Sequence, residues 1–506
     1  MILQRNICPD DKEMLLYYRV TGKMTVSNDE RISEKVIGKG GKLSIADETK
    51  ISSDTYMNAF DIGAWKKHTC ISKVYLTITI SGKGILTFIR EKKNGNKEKI
   101  GMLNFETVKG DVEQYQLMVP TNIIDGILYF EVASESYVSL YNAVYETDAA
   151  PLQEIKLSAV ICTYHRRKQM EEMLKVLEQT DGIRSRWLHI KVIDNASELE
   201  NLYGNGIRVY HNSNTGGSGG FTRGMEETVN DLSGFPATHV LLMDDDISLL
   251  PETIHRLYSL LSYLRPEYQK EAVAGRMFRK DNPRIQYTAA EIWNRGNLRH
   301  IGYNHDMTVR RNLWSMNDNT GGEYGGWWLC CYPIEFVKKN RPLPFFLHCD
   351  DVEYGLRHGG TPIILNGIQV WHETYEHRQT PAVWYYDTRN PLIVNAIYSF
   401  HQEPAALLQE WQKKLNTKIC QPTKYMMIRA MWDFLKGPGW FLKIRTDRTG
   451  RKLKSAHTYV LRIGNILFRK GTETRAKFQL EKVLKGYRKT FYPNITPGTA
   501  KETDDV

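Results

Sequence analysis

Cysteines and long apolar runs are scarce in this 506-residue sequence. It contains seven cysteines, of which Cys330 and Cys331 are adjacent, and no Cys-x-x-Cys pair. A disulfide-stapled scaffold or a zinc ribbon is therefore excluded, and reduced thiols in a cytosolic compartment are predicted. No apolar run approaches the roughly 18–20 residues that cross a bilayer, and the N-terminus lacks a basic segment followed by an apolar one. We expect neither a membrane span nor a signal peptide.

The overall excess of positive charge is small, but basic residues are concentrated in one segment. The chain holds 68 Lys and Arg against 58 Asp and Glu, a net charge of +10. Residues 411–490 alone hold 21 basic and four acidic residues, a net +17, so the rest of the chain sums to −7. This basic segment predicts peripheral docking on an anionic membrane face; the alternative is solvated helix faces with a homo-oligomer contact. No nucleic-acid-binding motif accompanies it, so no nucleic-acid partner is expected.

The length predicts two to four domains, at about 100–200 residues each, and the sequence pattern divides into three zones. Residues 1–150 contain short alternating segments separated by polar turns, such as 73–80, 85–90, 114–119 and 126–132, which predict an antiparallel β-sandwich of jelly-roll type. Residues 151–391 alternate apolar strands with amphipathic helices. Residues 392–506 show helical patterns and carry the basic excess. The expected fold class is multidomain α/β with a helical C-terminal domain.

The middle zone predicts a mainly parallel sheet. Residues 157–162 form a continuous apolar run, which is typical of a strand buried on both faces, and 189–194, 207–210 and 239–243 are further candidate strands. Residues 168–178 carry an apolar stripe at helical spacing. In such sheets ligands bind at the carboxyl ends of the strands. Each of these strands is followed there by a polar cluster, so the sequence predicts a binding site at this edge.

The clusters offer chemistry suited to a phosphate-bearing ligand. Arg166 can neutralise a phosphate, and Asp194 can accept from a base or ribose. The turn that begins at Asn214 is rich in glycine but lacks the Gly-Lys-Ser/Thr of a P-loop, so a simple flexible turn is equally compatible with it. Asp244, Asp245 and Asp246 repel one another unless a cation is present. In an extended segment Asp244 and Asp246 point the same way and can share Mn²⁺ or Mg²⁺; the alternative is a helix N-cap.

A second acidic pair, Asp350 and Asp351, opens a predicted helix. One carboxylate could be held by hydrogen bonds while the other acts as a general base; alternatively, Asp350 caps the helix with Glu353 at the capping-box position. His372 ends a short apolar strand and is a candidate third metal ligand. Trp327 and Trp328 could stack on sugars or pack in the core, and the sequence does not decide between these.

Taken together, these motifs resemble a known family. Their order is Thr-x-x-Arg, strand-Asp, Asn-x-Gly-Gly-Ser-Gly-Gly-Phe, Met-Asp-Asp-Asp-Ile, Gly-Trp-Trp, Asp-Asp-x-Glu-Tyr-Gly-Leu-Arg and Trp-His. This order is similar to that of inverting nucleotide-sugar glycosyltransferases of the A-type fold, family 2, and within them to the galactan-polymerising galactofuranosyltransferases of mycobacteria. The similarity spans about residues 155–395 and touches the N-terminal zone at 55–60 and 64–65.

The resemblance implies a role for each matching residue. The implied donor-binding residues are Arg166, Asp194, Asn214, Gly216, Gly217, Asp245 and Glu291. The implied metal ligands are Asp244, Asp246 and His372. The implied catalytic residues are Asp351 as general base and Asp350 as its support. The implied acceptor-binding residues are Trp327, Trp328 and Glu353. Two positions depart from the family pattern: Tyr164-His165 precede Arg166, and Asp387 stands where a His is expected ahead of Arg389-Asn390.

The implied activity is transfer of galactofuranose from UDP-galactofuranose to a lipid-linked glycan with inversion, giving a β-galactofuranosidic bond. Its implied place is the inner face of the cell membrane. Two alternatives stay open: another donor, as in a rhamnosyl- or N-acetylglucosaminyltransferase, or a non-catalytic glycan-binding scaffold. The acidic motifs do not distinguish between sugars. All the implied metal and base carboxylates are present, which argues against the scaffold.

Overall fold

A computed structural model describes most of the chain. The described residues are 1–7, 14–27, 42–108, 111–199, 206–231, 234–314, 321–374, 381–398, 403–415, 421–444 and 473–491. Within them no helix is both long enough and apolar enough to cross a membrane.

The N-terminal zone is an antiparallel β-sandwich, as predicted. Its strands are β1 (Ile2–Arg5), β2 (Arg19–Thr21), β3 (Met24–Ser27), β4 (Lys42–Ile45), β5 (Lys50–Ser52), β6 (Tyr75–Ser81), β7 (Lys83–Glu91), β8 (Lys97–Glu106), β9 (Glu113–Met118), β10 (Ile127–Ser134) and β11 (Val138–Glu146), with helix α1 (Ile62–His68) and a 3₁₀ turn (Met14–Leu16). One sheet has the order β3-β4-β11-β6-β9 with β1 on β11, and the other has β2-β5-β10-β7-β8. Consecutive strands β6 and β7 therefore lie in different sheets.

The middle zone contains the predicted parallel sheet. Its first elements are β12 (Leu157–Thr163), α2 (Arg167–Glu178), α3 (Asp181–Arg184), β13 (Leu188–Asp194), β14 (Ile207–His211), α4 (Gly216–Val229), β15 (His239–Asp244) and α5 (Pro251–Tyr263). Strands β14-β13-β12-β15 pair in parallel. The sheet continues with two further strands, β16 (Val273–Ala274) and β22 (Leu329–Pro333), and β22 runs antiparallel to β15.

A smaller sheet and a hairpin follow in the chain. These elements are a 3₁₀ turn (Pro266–Tyr268), β17 (Arg276–Arg279), β18 (Ile285–Thr288), β19 (Glu291–Asn294), β20 (Asn297–His300), β21 (His305–Asp306), α6 (Arg310–Trp314), α7 (Ile334–Lys339), α8 (Asp350–His358) and β23 (Gln369–His372). Strand β23 pairs in parallel with β17, and β19 pairs with β20 in the hairpin. The pairing of β23 with β17 returns the chain to the edge where β15 ends.

The C-terminal zone is helical where it is described. Its helices are α9 (Pro381–Ile397), α10 (Pro404–Leu415), α11 (Gln421–Leu435), α12 (Pro438–Phe441) and α13 (Glu473–Phe491). The predicted domain boundary between residues 391 and 392 is wrong in position, because α9 runs through it. The helices also share one hydrophobic core with Phe345 and Val352 of the middle zone. Of the basic segment, residues 416–420 and 445–472 lie outside the described residues.

The sandwich and the parallel sheet share a continuous hydrophobic core. Arg256 of α5 is fully buried between them: its guanidinium is 3.0 Å from Glu252 and donates to the carbonyl oxygens of Met57, at 2.7 Å, and Arg5, at 3.1 Å. A buried guanidinium must be fully hydrogen-bonded to be tolerated. Arg256 therefore fixes the sandwich against the sheet.

Glycine is required where α4 crosses the parallel sheet. A Cβ at Gly220 would lie 2.1 Å from Cys162 Sγ, and one at Gly224 would lie 2.1 Å from Val160 Cγ1. The alternative of a simple flexible turn for this segment is wrong, because Gly216 to Gly220 form the first turns of a 14-residue helix. These glycines allow the helix to approach the strands closely.

Gly224→Val is expected to lower the free energy of unfolding by about 1–3 kcal/mol, the usual cost of overpacking a filled core. Urea denaturation followed by circular dichroism measures this change. Gly439→Val is the matched control, because a Cβ at Gly439 meets no atom within 4 Å; we expect a change within about 0.5 kcal/mol. Equal unfolding midpoints for both variants would contradict the packing argument.

Candidate active site

The carboxyl ends of β12, β13 and β15 meet at one edge of the parallel sheet. Thr163 of β12 lies beside Asp194 of β13, and Cys162 lies beside Asp244 of β15. In-register parallel pairing places the residues that follow these strands side by side. The structure therefore brings Arg166, Asp194 and the Asp244–Asp246 segment to one site.

Asp244, Asp246 and His372 form a three-residue ligand cluster. Their ligand atoms all lie within 4.8 Å of one another. His372 Nε2 is 3.0 Å from Asp246 Oδ1 and 3.6 Å from Asp244 Oδ2. The three residues are brought together by the pairing of β23 with β17 and by a bridge between Ser248 and Trp371.

The donor set fits a divalent cation. His372 Nδ1 donates its proton to the backbone carbonyl of Glu373 at 2.6 Å, which leaves Nε2 as the ring atom that faces the carboxylates. Burial, and next the charge of Asp246, raises the pKa of Asp244 to about 7. Two carboxylate oxygens and one imidazole nitrogen suit Mn²⁺ or Mg²⁺, and a bound cation would offset this repulsion. A helix cap alone would not need three such groups.

Arg166 lies directly beside the acidic segment. Its Nη1 is 2.6 Å from Asp245 Oδ1 and 3.1 Å from Asp246 Oδ2. Asp245 is buried, so the guanidinium provides the countercharge that its carboxylate requires. The predicted donor-binding residues Arg166 and Asp245 therefore form an ion pair with each other beside the ligand cluster.

Asp194 and Asn214 organise the backbone around this edge. The Asp194 carboxylate is buried and accepts from the backbone N–H groups of Ala196, Glu198 and Leu199 at 2.6–2.9 Å. The side-chain oxygen of Asn214 accepts from the backbone N–H of Gly216 at 3.1 Å. Both predicted donor-binding side chains thus shape the loops that border the site.

Gly216 and Gly217, which we call the glycine turn, form the start of α4 and lie against the second acidic pair, Asp350 and Asp351. Gly216 has a φ of +73°, and a Cβ there would lie 2.1 Å from the carbonyl oxygen of Phe346. A Cβ at Gly217 would lie 3.7 Å from Asp350 Oδ2. Gly216 and Gly217 therefore leave a narrow space between the donor side of the site and Asp350.

Asp350 and Asp351 are the first two residues of α8. Burial raises the pKa of Asp350 to about 6. Burial, followed by the charges of Asp350 and Glu291, raises the pKa of Asp351 well above its ordinary value. The N-cap is Cys349, not Asp350 as the capping alternative required. A carboxylate whose pKa lies nearer neutrality is better suited to accept a proton from a hydroxyl group.

Glu291 is buried next to this pair. Its carboxylate accepts from the Tyr324 hydroxyl at 2.6 Å and lies 2.8 Å from His300 Nδ1. Tyr324 packs on α8, where a Cβ at Gly355 would lie 2.3 Å from Tyr324 Cβ. His300 is not among the predicted site residues, although Arg295-Gly296 is a two-residue turn that predicts a hairpin. That hairpin pairs Glu291 with His300.

The predicted acceptor platform does not fit the burial of its two tryptophans. Trp327 is 4% exposed and packs edge-on against Phe221 and Tyr354. Trp328 is 2% exposed, and its indole N–H donates to Gly275 O at 2.9 Å. Neither ring presents an open face for a sugar, so the core-packing alternative describes both residues.

Glu353 is also placed differently from the prediction. It is fully buried, and its carboxylate is paired with the Arg357 guanidinium one turn along α8. It also lies near the Tyr398 hydroxyl. With Cys349 as the N-cap, Glu353 is one position beyond the capping-box site. An acceptor contact through this carboxylate would require the ion pair to open, so we correct the assignment to a structural one.

Two family models match this chain over separate regions. Residues 3–148 match the galactofuranosyltransferase 2 N-terminal family, and residues 158–320 match glycosyl transferase family 2. The parallel sheet and its acidic edge therefore belong to a glycosyltransferase domain, and the chain is a glycosyltransferase. More particularly, it is homologous to the galactofuranosyltransferases of mycobacteria.

Two relatives show the extent of this homology. The chain is 25% identical over 440 residues to galactofuranosyltransferase GlfT2 of Mycobacterium tuberculosis, a match that covers 78% of this chain and 67% of the relative. It is 23% identical over 437 residues to the enzyme of the same name from Mycolicibacterium smegmatis, covering 78% and 65%. The chain thus spans about two thirds of the length of these relatives.

Among solved structures, the mannosyltransferase PcManGT from Pyrobaculum calidifontis superposes with a TM-score of 0.31 at 14% sequence identity. The superposition covers 69% of this chain and 91% of that one.

Proposed function

We propose that this protein is an inverting, metal-dependent galactofuranosyltransferase. It would transfer galactofuranose from UDP-galactofuranose to a hydroxyl group of a glycan acceptor, forming a β-galactofuranosidic bond. The observation that carries the proposal is the juxtaposition of two acidic groups across the glycine turn. One is the cluster of Asp244, Asp246 and His372, and the other is the Asp350–Asp351 pair.

The proposed role of each group follows from its surroundings. Asp244, Asp246 and His372 would hold Mn²⁺ or Mg²⁺, which when bound neutralises charge on a diphosphate leaving group. Arg166 adds a positive charge at the same edge and orients Asp245. Gly216 and Gly217 keep side chains out of the space between this edge and Asp350. The absence of side chains there would leave space for the donor sugar next to the acidic pair.

Asp351 would act on the acceptor. With a pKa raised by burial, its carboxylate can take the proton of the acceptor hydroxyl group as that oxygen attacks the anomeric carbon. A single displacement from the opposite face inverts the configuration and needs no covalent glycosyl-enzyme intermediate. Asp350, whose Oδ2 faces Gly217, would support the base from the donor side, and the charge of Glu291 would help to keep the pKa of Asp351 high.

The lipid-linked acceptor and the membrane contact are part of the proposal. The described basic helix α13 carries Lys482, Lys485 and Lys489 as exposed residues. Each basic residue near an anionic surface contributes about 1 kcal/mol at low screening. Contact of this zone with the inner membrane face, and a homo-oligomer, stay predictions.

A donor panel tests the proposed activity directly. The enzyme, with Mn²⁺ and a synthetic β-galactofuranosyl oligosaccharide, is given UDP-galactofuranose, UDP-galactopyranose, UDP-N-acetylglucosamine or dTDP-rhamnose. We expect turnover with UDP-galactofuranose only, measured as UDP release and as a product one hexose heavier by mass spectrometry. NMR of the product should show a β-furanose ring. Turnover with another donor and none with UDP-galactofuranose would contradict the donor assignment and leave the metal and base assignments standing.

A further inference from the structure

The backbone just before the acidic pair is in an unusual conformation. Phe346, His348 and Cys349 have φ angles of +78°, +61° and +66°. Among the described residues, no other stretch of five contains more than one non-glycine residue with a positive φ. We call residues 345–349 the left-handed bend. Non-glycine residues in this region are strained, and such strain persists only where the surroundings enforce it.

Helix α9 supplies the contacts that enforce the bend. Asn390 Nδ2 donates to the carbonyl oxygens of Leu347, at 2.5 Å, and His348, at 2.8 Å. Arg389 Nη2 donates to the carbonyl oxygen of Phe345 at 2.6 Å. Asn390 and Arg389 are both fully buried. Two adjacent side chains of one helix thus hold three carbonyl groups of a strained loop.

The orientation of the Asn390 amide is dictated by its neighbour. Arg389 Nε donates to Asn390 Oδ1 at 2.9 Å. Because a guanidinium can only donate, the amide oxygen must face Arg389 and the amide NH₂ must face the bend. Arg389 is itself held over the rings of Tyr385 and Tyr386, each at 5.2 Å. The pair is therefore preset to offer donors to the bend.

The other side of the bend lies against the donor side of the site. The Phe346 carbonyl leaves no space for a Cβ at Gly216, and Ser218 N–H donates to the same oxygen at 3.4 Å. The bend is thus fixed between α9 and the start of α4. Cys349 ends the bend as the N-cap of α8, so the bend determines where Asp350 and Asp351 begin.

We propose that Asn390 and Arg389 are positioning residues for the general base, because they hold the left-handed bend that carries Asp350 and Asp351 to the glycine turn. This inference rests on the proposed function, since it takes Asp351 as the base. Neither residue has to touch the substrate. Asp387 of the same helix also contacts the bend, through His348 Nδ1.

Asn390→Asp tests the inference, because it keeps the shape of the side chain and replaces the donor with an acceptor that faces two carbonyl oxygens. We expect kcat for transfer to fall about 10²-fold, the cost of a small misplacement of a reacting group. The dissociation constant for UDP with Mn²⁺, measured by calorimetry, should stay within about threefold. The acid limb of the kcat profile should also shift, because the surroundings of the acidic pair change.

Asn395→Asp is the matched control. Asn395 is also buried on α9, but its side-chain oxygen accepts from Trp293 Nε1–H at 2.8 Å, a bond that a carboxylate keeps. We expect its kcat within about threefold of the parent. If Asn390→Asp does not fold, as judged by circular dichroism, Asn390→Gln decides: it retains the donor but moves it by one methylene, and kcat should fall at least about tenfold.

The outcomes separate this inference from the proposed function. A kcat within about threefold of the parent for a folded Asn390→Asp or Asn390→Gln overturns the inference. An equal loss of kcat in Asn395→Asp also overturns the inference, because any buried charge on α9 would then have the same effect. If Asp351→Asn retains transfer, the assignment of the base has failed instead. If kcat falls in Asp351→Asn but not in the Asn390 variants, the proposed function stands and only the positioning role is overturned.

Discussion

Asp351→Asn is expected to lower kcat for glycosyl transfer by about 10²–10⁴-fold, the range that a general base contributes. The substitution keeps the size of the side chain and its place at the start of α8, but an amide does not accept a proton from an acceptor hydroxyl group. Transfer is measured as UDP release in the presence of acceptor. Binding of UDP with Mn²⁺ should be retained, because the ligand cluster lies on the other side of the glycine turn from Asp351.

The control for this variant is Asp148→Asn, an exposed carboxylate of the N-terminal sandwich that is paired with Lys73. Its kcat should match that of the parent. Asp350→Asn should lose less than Asp351→Asn, since Asp350 is assigned the supporting role. A parent-like rate for Asp351→Asn, or a larger loss for Asp350→Asn, would reverse the two assignments.

The pH profile supplies a second check on Asp351. The base works in its ionised form, and burial with the charges of Asp350 and Glu291 raises its pKa. The ionised fraction is therefore lost at a higher pH than for an ordinary carboxyl group, near 3.9. We expect kcat to fall as the pH drops through the raised value. An acid limb at the ordinary carboxyl pKa would contradict this environment.

Removal of the divalent cation is expected to abolish transfer, and this is the second large effect. Burial, followed by repulsion from Asp246, raises the pKa of Asp244 to about 7, and a bound cation would offset both effects. Dialysis against EDTA should leave no measurable UDP release, and added Mn²⁺ or Mg²⁺ should restore it. His372→Ala should raise the Mn²⁺ concentration for half-maximal activity at least about 10–100-fold, which is the cost of losing even an outer-shell partner.

His189→Ala is the control for the histidine substitution. His189 stacks on Phe235 at a ring distance of 3.6 Å, away from the ligand cluster. Its metal requirement should equal that of the parent. Full activity after EDTA treatment, checked by metal analysis of the protein, would mean that the cluster serves another purpose and would remove the cation from the proposed function.

The sequence predicted those parts of the fold and site that depend on local pattern. Short, mostly apolar segments identified β12, β13 and β15, because strands buried on both faces are rich in apolar residues; the buried Lys191 of β13 is tolerated because it is paired with Asp231. Because ligands bind at the carboxyl ends of such strands, the sequence alone then predicted that Arg166 and the acidic segment lie at one site. The parallel register of these strands is what places their following residues together.

The parts that were missed or wrong depend on distant contacts. Whether Trp327 and Trp328 face solvent is determined by elements packed over them, not by their glycine neighbours. The left-handed bend follows from hydrogen bonds made by Asn390, some 40 residues later in the chain, and local propensities oppose it. The position of the boundary near residue 391 was wrong because helical periodicity begins earlier, within the middle zone.

The pairing of β23 with β17 has a consequence for synthesis of the chain. Strand β1 pairs with β11, and the described strands of the two sandwich sheets pair only among themselves, all within residues 1–150. His372, by contrast, follows Asp246 by 126 residues. We expect the emerging chain to fold its sandwich first and to hold Asp244 and Asp246 without their third ligand until His372 leaves the ribosome. Metal capture would then mark a late stage of folding, and chains truncated before His372 would lack a complete metal site.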